Sequence, residues 1–153
     1  MTPPATEPQA EAPTGIDSSF LKTLLGYNAR RAAVAIMALF DERMAALGLK
    51  PVEFSVLCLI GRNPGVTPSQ LCAELALLPP HLTKMLTRLD KSGLLTRHVL
   101  ASDKRAVSLG LSAGGVAFLA QAEATVAQLE ADAASALTAK QQKTLIELLQ
   151  KIY

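Results

Sequence analysis

The sequence predicts a mainly α-helical protein with one small β-hairpin. Half of the 153 residues are apolar, aromatic residues make up 4% and tryptophan is absent, so the apolar content is mostly the Leu, Ala and Val of helical proteins. Apolar residues recur at helical spacing along most of the chain, and only between Leu95 and Leu111 does the spacing become alternate. The length suits one domain with its own hydrophobic core.

The first third of the chain is predicted to hold one long helix. Residues 1–16 are rich in Pro, Ala, Thr and Glu and lack periodicity, so we expect a disordered arm there. From Phe20 to Leu47 apolar residues follow helical spacing for roughly seven to eight turns, and Gly48 ends the helix. Because so long a helix needs another surface to lie against, we expect a second subunit beside it.

Three shorter helices are predicted next. The first begins at Pro51, ends near Arg62 and is followed by the breaker cluster Asn63-Pro64-Gly65. Thr67 and Gln70 form a capping box that opens the second helix. After a brief turn the third runs from Pro80 to Ser92, and Gly93 stops it. Its inward face is predicted to consist of Leu82, Met85, Leu86 and Leu89.

A β-hairpin and two further helices complete the predicted fold. The strands are expected at Leu95–Leu100 and Ala106–Leu111, with a polar tip at 101–105. Ser112 caps a helix that extends to about Ala136, and Thr138 with Gln141 opens a last helix. Two helices joined by a tight turn and followed by a hairpin are typical of a winged helix-turn-helix, here flanked by long N- and C-terminal helices.

Charge along the chain suggests a polyanion-binding face, although a solvated basic helix face would give the same pattern. Between Pro79 and Arg105 six basic residues face two acidic ones, a local balance of +4 in a chain whose net charge is +2. A helix fits the major groove of double-stranded DNA, and a basic hairpin tip fits the neighbouring minor groove. The predicted DNA-binding side chains are His81, Thr83, Lys84, Thr87, Arg88, Arg97, Ser102, Asp103, Lys104 and Arg105.

Two arginines receive specific roles in this hypothesis. Arg88 could grip guanine with two hydrogen bonds. Asp103 could brace Arg105 while the guanidinium points into the minor groove. The pair Pro79-Pro80 removes two N–H groups that could have held a phosphate, so base reading is expected to depend on His81, Thr83, Lys84 and Arg88.

The sequence resembles the MarR family of bacterial regulators from Leu24 to Tyr153. The resemblance depends on the wing, Asp103-Lys104-Arg105-Ala106 followed by Leu109–Gly115, and on two further motifs, Asn63–Thr67 and Leu89–Leu94. It implies a homodimer that binds a pseudo-palindromic DNA site as a repressor. It also implies that a small aromatic or lipophilic effector binds between the dimerisation and DNA-binding parts.

The expected organisation is a single domain from 17 to 153. Residues 17–48 and 112–153 would form the dimerisation helices, and 51–111 would form the DNA-binding lobe. Tyr27 and Arg31 lie one turn apart and could line an effector pocket, with the arginine meeting a carboxylate, although dimer packing explains them equally well.

Two alternative functions remain open at this point. A helical dimer could bind a ligand or a partner protein without reading DNA, or Cys58 could act as a thiol-based redox sensor. Cys58 and Cys72 lie 14 positions apart without neighbouring cysteine or histidine, which favours buried small side chains in a reducing cytoplasm. We expect no metal, cofactor or catalytic residue because the chain lacks the corresponding motifs. No apolar run approaches the roughly 20 residues of a membrane span, so we expect no membrane partner.

Overall fold

The computed structural model describes residues 15–100 and 103–153. The predicted arm, 1–16, therefore lies outside the described residues except for its last two. The helices are α1 (Ser19–Lys22), α2 (Leu25–Met44), α3 (Pro51–Arg62), α4 (Pro68–Glu74), α5 (Pro79–Lys91), α6 (Ala113–Ala133) and α7 (Ala139–Leu149). The strands are β1 (Leu95–Leu100) and β2 (Asp103–Leu111), an antiparallel pair.

The prediction of one continuous helix from Phe20 to Leu47 is wrong. The helix is interrupted after Lys22, resumes as α2 and tightens into a short 3-10 turn at Ala45–Leu47 before Gly48 ends it with a φ of 59°. The hydroxyl of Thr23 donates to the carbonyl oxygen of Phe20 at 2.8 Å. The amide of Asn28 donates to the carbonyl oxygens of Lys22 and Leu24 at 2.9 and 2.8 Å. These side chains donate hydrogen bonds to carbonyl oxygens at the break, and so replace backbone hydrogen bonds that a continuous helix would have made.

No single helix among the described residues is both long enough and apolar enough to cross a membrane. One pair of consecutive helices, Leu25–Leu47 and Pro51–Arg62, is together long and apolar enough for a membrane span, but the two helices are bent by 69° relative to each other.

The chain divides into two compact units, one ending at Val34 and one beginning at Ala35. The hydrophobic core of the second unit draws on nearly every element within it, and burial of this apolar surface is the main source of its stability. Leu82, Leu86 and Leu89 of α5 are buried as predicted, and the half-buried Met85 packs against them. The other fully buried large side chains are Met44, Val56, Leu57, Ile60, Leu71, Leu109 and Leu129.

The predicted starts of α3 and α4 are confirmed, whereas α5 runs from Pro79 to Lys91, shifted by one residue at each end from the predicted Pro80 and Ser92. Pro51 is the first residue of α3. Thr67 caps α4: its hydroxyl accepts from the N–H of Gln70 at 3.4 Å, and the Gln70 side chain accepts from the N–H of Thr67 at 2.9 Å. Gly93, with a φ of 70°, follows α5 where a left-handed residue was expected.

The hairpin is paired over a longer stretch than predicted. Leu95 pairs with Leu111 and the register is regular up to Val99, after which it shifts so that Leu100 pairs with Asp103. The second strand consequently begins three residues earlier than the predicted Ala106. A bridge between Val66 and Leu109 also fastens β2 to the segment that precedes α4.

A close backbone approach joins the end of the hairpin to α6. The Ser112 hydroxyl accepts from the N–H of Gly115 at 2.9 Å and donates to the carbonyl oxygen of Gly93 at 2.6 Å. A Cβ on Gly115 would lie 2.0 Å from the carbonyl oxygen of Leu94, so no other residue fits there without a backbone shift. Of the adjacent glycines at the start of α6, Gly115 is therefore required by packing.

The last helix is opened by the predicted capping box and then remains uncovered. Thr138 accepts from the N–H of Gln141 at 3.3 Å, and Gln141 accepts in return from the N–H of Thr138 at 2.8 Å. No residue of α7 is buried, and its apolar side chains Leu145, Ile146, Leu148 and Leu149 are exposed.

Candidate nucleic-acid interface

Helix α5 presents a polar face opposite its buried leucines. We call His81, Thr83, Lys84 and Thr87 the outer face of α5, and all four are exposed. The hydroxyl of Thr83 donates to the carbonyl oxygen of Pro79 at 2.9 Å, and that of Thr87 to the carbonyl oxygen of Thr83 at 2.8 Å. Both hydroxyl hydrogens are therefore occupied within the helix, and the oxygens remain available as acceptors.

Arg88 does not extend from α5 as the guanine-gripping side chain that the sequence suggested. Its Nε donates to Oε1 of Glu53 at 2.6 Å, its Nη2 donates to Oε2 of the same carboxylate, and its Nη1 donates to the carbonyl oxygen of Gly48 at 3.1 Å. The edge of the guanidinium that would bind guanine bidentately is thus engaged by Glu53. Spacing along α5 could not reveal this, because the partner lies 35 positions earlier.

Glu53 is the residue that sequence reasoning undervalued. It lies in the first turn of α3, where the helix dipole favours a carboxylate, and it is 7% exposed and accepts three hydrogen bonds. One comes from the N–H of Lys50 at 3.0 Å and two come from Arg88. A buried carboxylate needs such partners, so the pair ties the C-terminal half of α5 to the start of α3.

One basic side chain of β1, that of Arg97, is already paired. Nε of Arg97 lies 3.0 Å from Oδ2 of Asp90, and both side chains are about two-fifths exposed. This ion pair joins β1 to α5, but because it is exposed it contributes little to stability. The other guanidinium donors of Arg97 remain available. Ser102 and the side chains of Asp103, Lys104 and Arg105 lie outside the described part of the chain, so their predicted DNA contacts remain predictions.

The candidate effector residues lie on α2. Tyr27 is half-buried and Arg31, one turn later, is exposed. Their role in an effector pocket remains a prediction. Among residues 15–100 and 103–153, no group of three or more His, Cys, Asp or Glu side chains is arranged to hold a metal ion.

Cys58 lies half-buried between α3 and α6, with its sulfur 4.0 Å from a carboxylate oxygen of Glu123. Burial raises the pKa of this thiol, the Glu123 carboxylate raises it further, and Arg62 partly opposes both. Arg62 is itself paired to Glu123 at 2.5 Å. Because the thiolate is the reactive form, this environment disfavours the thiol-sensor alternative.

Helices α4 and α5, the turn between them and the hairpin β1–β2 define a winged helix-turn-helix, in which α5 is the recognition helix and the hairpin is the wing. The MarR family model matches residues 49–107, which span α3 to the wing. The multiple antibiotic resistance protein MarR of Escherichia coli is 35% identical over 115 residues, 74% of this chain and 80% of its own length. The chain belongs to the MarR family.

Solved structures agree with this assignment. The transcriptional repressor CouR, bound to a 23-mer DNA duplex, superposes with a TM-score of 0.87 at 32% identity, covering 91% of this chain and 99% of that one. The Mycobacterium tuberculosis protein Rv2887 in complex with salicylic acid gives a TM-score of 0.69 at 28% identity, covering 85% and 96%. The predicted fold class and family are confirmed, and the family is one of transcription regulators.

Proposed function

We propose that this chain is a repressor that binds a pseudo-palindromic operator in double-stranded DNA as a homodimer. The observation that carries the proposal is the exposed polar face of α5, held by a buried leucine row on a fold shared with a repressor in its DNA-bound form. In such folds the recognition helix enters the major groove, and a dimer meets two successive grooves. The protein would act through binding alone, in the cytoplasm.

The proposed DNA contacts divide by groove. On α5 the outer face would meet base edges and phosphates, with Lys84 as its cation. On the wing we propose Arg97, Ser102, Asp103, Lys104 and Arg105, with Asp103 bracing Arg105 in the minor groove. Arg88 takes a different part: because Glu53 and Gly48 hold its guanidinium, we propose that it positions α5 and does not read a base.

The homodimer proposal depends on apolar surface that the single chain leaves exposed. In the second unit this surface lies on α7, and in the first it lies on α1 and the start of α2, with Phe20 and Leu25 as its most exposed large side chains in those helices. Residues 17–48 and 112–153 would provide the dimer interface, and 51–111 the DNA-binding lobe. A second copy is the occupant that fits, because a two-fold axis pairs identical apolar patches.

A titration of duplex DNA at two salt concentrations tests the proposal. The full-length protein should bind a random duplex at low salt and lose affinity steeply as salt rises, because each phosphate contact releases counterions. Lys84→Ala should reduce the slope of log K against log salt by about one. The matched control is Lys140→Ala on α7, which should leave the slope unchanged. Absence of binding at low salt would favour the helical dimer that does not read DNA.

The proposed effector is a small aromatic carboxylic acid bound near Tyr27 and Arg31. Support comes from the guanidinium one turn from a phenol ring on α2 and from the relative that binds salicylic acid. Salicylate should release the protein from its operator by favouring a different separation of the two lobes. Arg31→Ala should require a higher salicylate concentration for release, whereas Arg30→Ala, one residue away and also exposed, should not.

A further inference from the structure

The start of α5 lacks the backbone donors that a recognition helix usually directs at DNA. The first residues of a helix normally expose N–H groups that can hold a phosphate. Here Pro79 and Pro80 carry no N–H, and those of His81 and Leu82 donate to the carbonyl oxygen of Leu78 at 3.0 and 3.3 Å. Phosphate binding through the backbone is therefore closed at this end of the helix.

The side-chain donors of α5 are reduced as well. The guanidinium of Arg88 is held by Glu53, and the hydroxyl hydrogens of Thr83 and Thr87 are donated back to the helix. On the outer face, hydrogen-bond donation to a base thus falls to His81 and Lys84. Discrimination by a bidentate arginine, the commonest way to select guanine, is not built into this helix.

Apolar side chains take the place of these donors, and we call Leu78 and Pro79 the leading edge of α5. Leu78, the residue before α5, is 65% exposed, while Leu82 one turn later is 1% exposed in the core. Pro79 and Pro80 are exposed beside it. Exposed leucines are common on protein surfaces, but this one stands at the end of the helix whose first residues approach base edges in this fold class. The exposed cation Lys84, in the second turn of α5, keeps the surroundings suited to DNA.

We propose that Leu78 and Pro79 read thymine through its C5-methyl group. Thymine is the one base that presents a methyl in the major groove, and apolar side chains select it by burying that methyl. Each operator half-site would then contain thymine where the start of α5 meets the groove. This inference rests on the proposed DNA-binding function and adds the kind of base that the helix selects.

The test removes the methyl and leaves base pairing intact. A preferred duplex is first selected from a random pool with the full-length protein, and each thymine is then replaced singly by deoxyuridine. We expect about fourfold weaker binding at one or two positions per half-site, the effect of one buried methyl group. No effect at any position, or a preferred site without thymine there, would overturn the inference.

Two variants assign the effect to the leading edge. Leu78→Ala should bind thymine and deoxyuridine duplexes equally, while circular dichroism shows that it folds. The control Lys84→Ala should weaken both duplexes and preserve the fourfold ratio. A ratio that persists in Leu78→Ala would overturn the assignment. Loss of all salt-dependent binding in the unmodified protein would instead contradict the proposed function, so the two failures are distinguishable.

Discussion

The winged helix-turn-helix and the last helix place their leucines in opposite environments. In the former, Leu82, Leu89 and Leu109 are 1%, 2% and 0% exposed, whereas in α7 Leu145 and Leu148 are 47% and 53% exposed. Both segments have clear helical or strand patterns and good capping residues. The local sequence signals thus do not distinguish the two segments. What differs is whether other elements of the same chain cover the apolar face.

This difference indicates where each segment obtains its stability. An isolated helix of 11 residues is marginal in water, so α7 needs a surface that the single chain does not supply. The winged helix-turn-helix has its core within the chain, in side chains from α3, α4, α5 and β2. We therefore expect the DNA-binding lobe to keep its structure under changes that remove the dimer.

The largest effect should come from a charge in the apolar face of α7. Leu148→Asp would place a carboxylate in the proposed dimer interface, at a cost of several kcal/mol. We expect the dissociation constant of the dimer to rise at least about 100-fold, measured by light scattering after size exclusion. The affinity for the operator should fall as well. The far-ultraviolet circular dichroism should still show a helical protein.

The control for this change lies in the first turn of α7, at the other end of the helix from Leu148. Lys140→Asp adds negative charge to the first turn, where a helix tolerates it, and should leave the dimer intact. If Leu148→Asp stays dimeric at the same concentration, the contrast between the two segments has another cause and the dimer interface lies elsewhere.

Adjacent glycines give the next largest effect, at the junction of wing and α6. In Gly115→Ala the new methyl would collide with the Leu94 carbonyl oxygen, so the free energy of unfolding should fall by about 1–3 kcal/mol. In Gly114→Ala the nearest atom is 3.6 Å away, and the free energy of unfolding should rise by up to about 1 kcal/mol. Urea unfolding at one fixed protein concentration compares the two; equal effects would contradict the close approach.

The next prediction concerns the Arg88–Glu53 pair, which lies within the DNA-binding lobe. Because its side chain is about half exposed, Arg88→Ala should cost about 1–2 kcal/mol of stability, less than a fully buried pair. If Arg88 only positions α5, affinity should fall by a similar factor on operators that differ at any single base pair. The paired variant Glu53→Met with Arg88→Met should recover part of the stability, since neither charge is then left alone. A loss confined to guanine-containing positions would restore the base-reading role.

Most of the fold followed from patterns that are local in the sequence. The capping boxes at Thr67 and Thr138, the stop at Gly93 and the buried row of α5 each depend on residues within one or two turns. The break after Lys22 was missed because the apolar spacing continues through it. The side-chain amide of Asn28 stabilises the break by donating to the carbonyl oxygens of Lys22 and Leu24. Periodicity detects the face of a helix and is insensitive to such an interruption.

The candidate site was less accessible to sequence reasoning. The outer face of α5 followed from helical geometry, and its exposure agrees with that expectation. The partner of Arg88 did not, because Glu53 lies 35 positions away and only tertiary packing brings the two together. The same limit applies to Cys58, whose neighbour Glu123 lies 65 positions later.

The smallest effect concerns the reactivity of Cys58 at the contact of α3 with α6. Burial and the Glu123 carboxylate raise the pKa of this thiol above that of an ordinary cysteine, so its thiolate fraction at pH 7 is lower. In a Cys72→Ser background, alkylation by iodoacetamide should be slow at pH 7, accelerate at a more alkaline pH than that of an ordinary cysteine and become faster in urea. Glu123→Gln removes one cause and leaves the opposing Arg62, so it should speed alkylation a few-fold at pH 7. Fast alkylation at pH 7 that does not accelerate further as the pH rises would mean a stabilised thiolate, and would favour the thiol-sensor alternative.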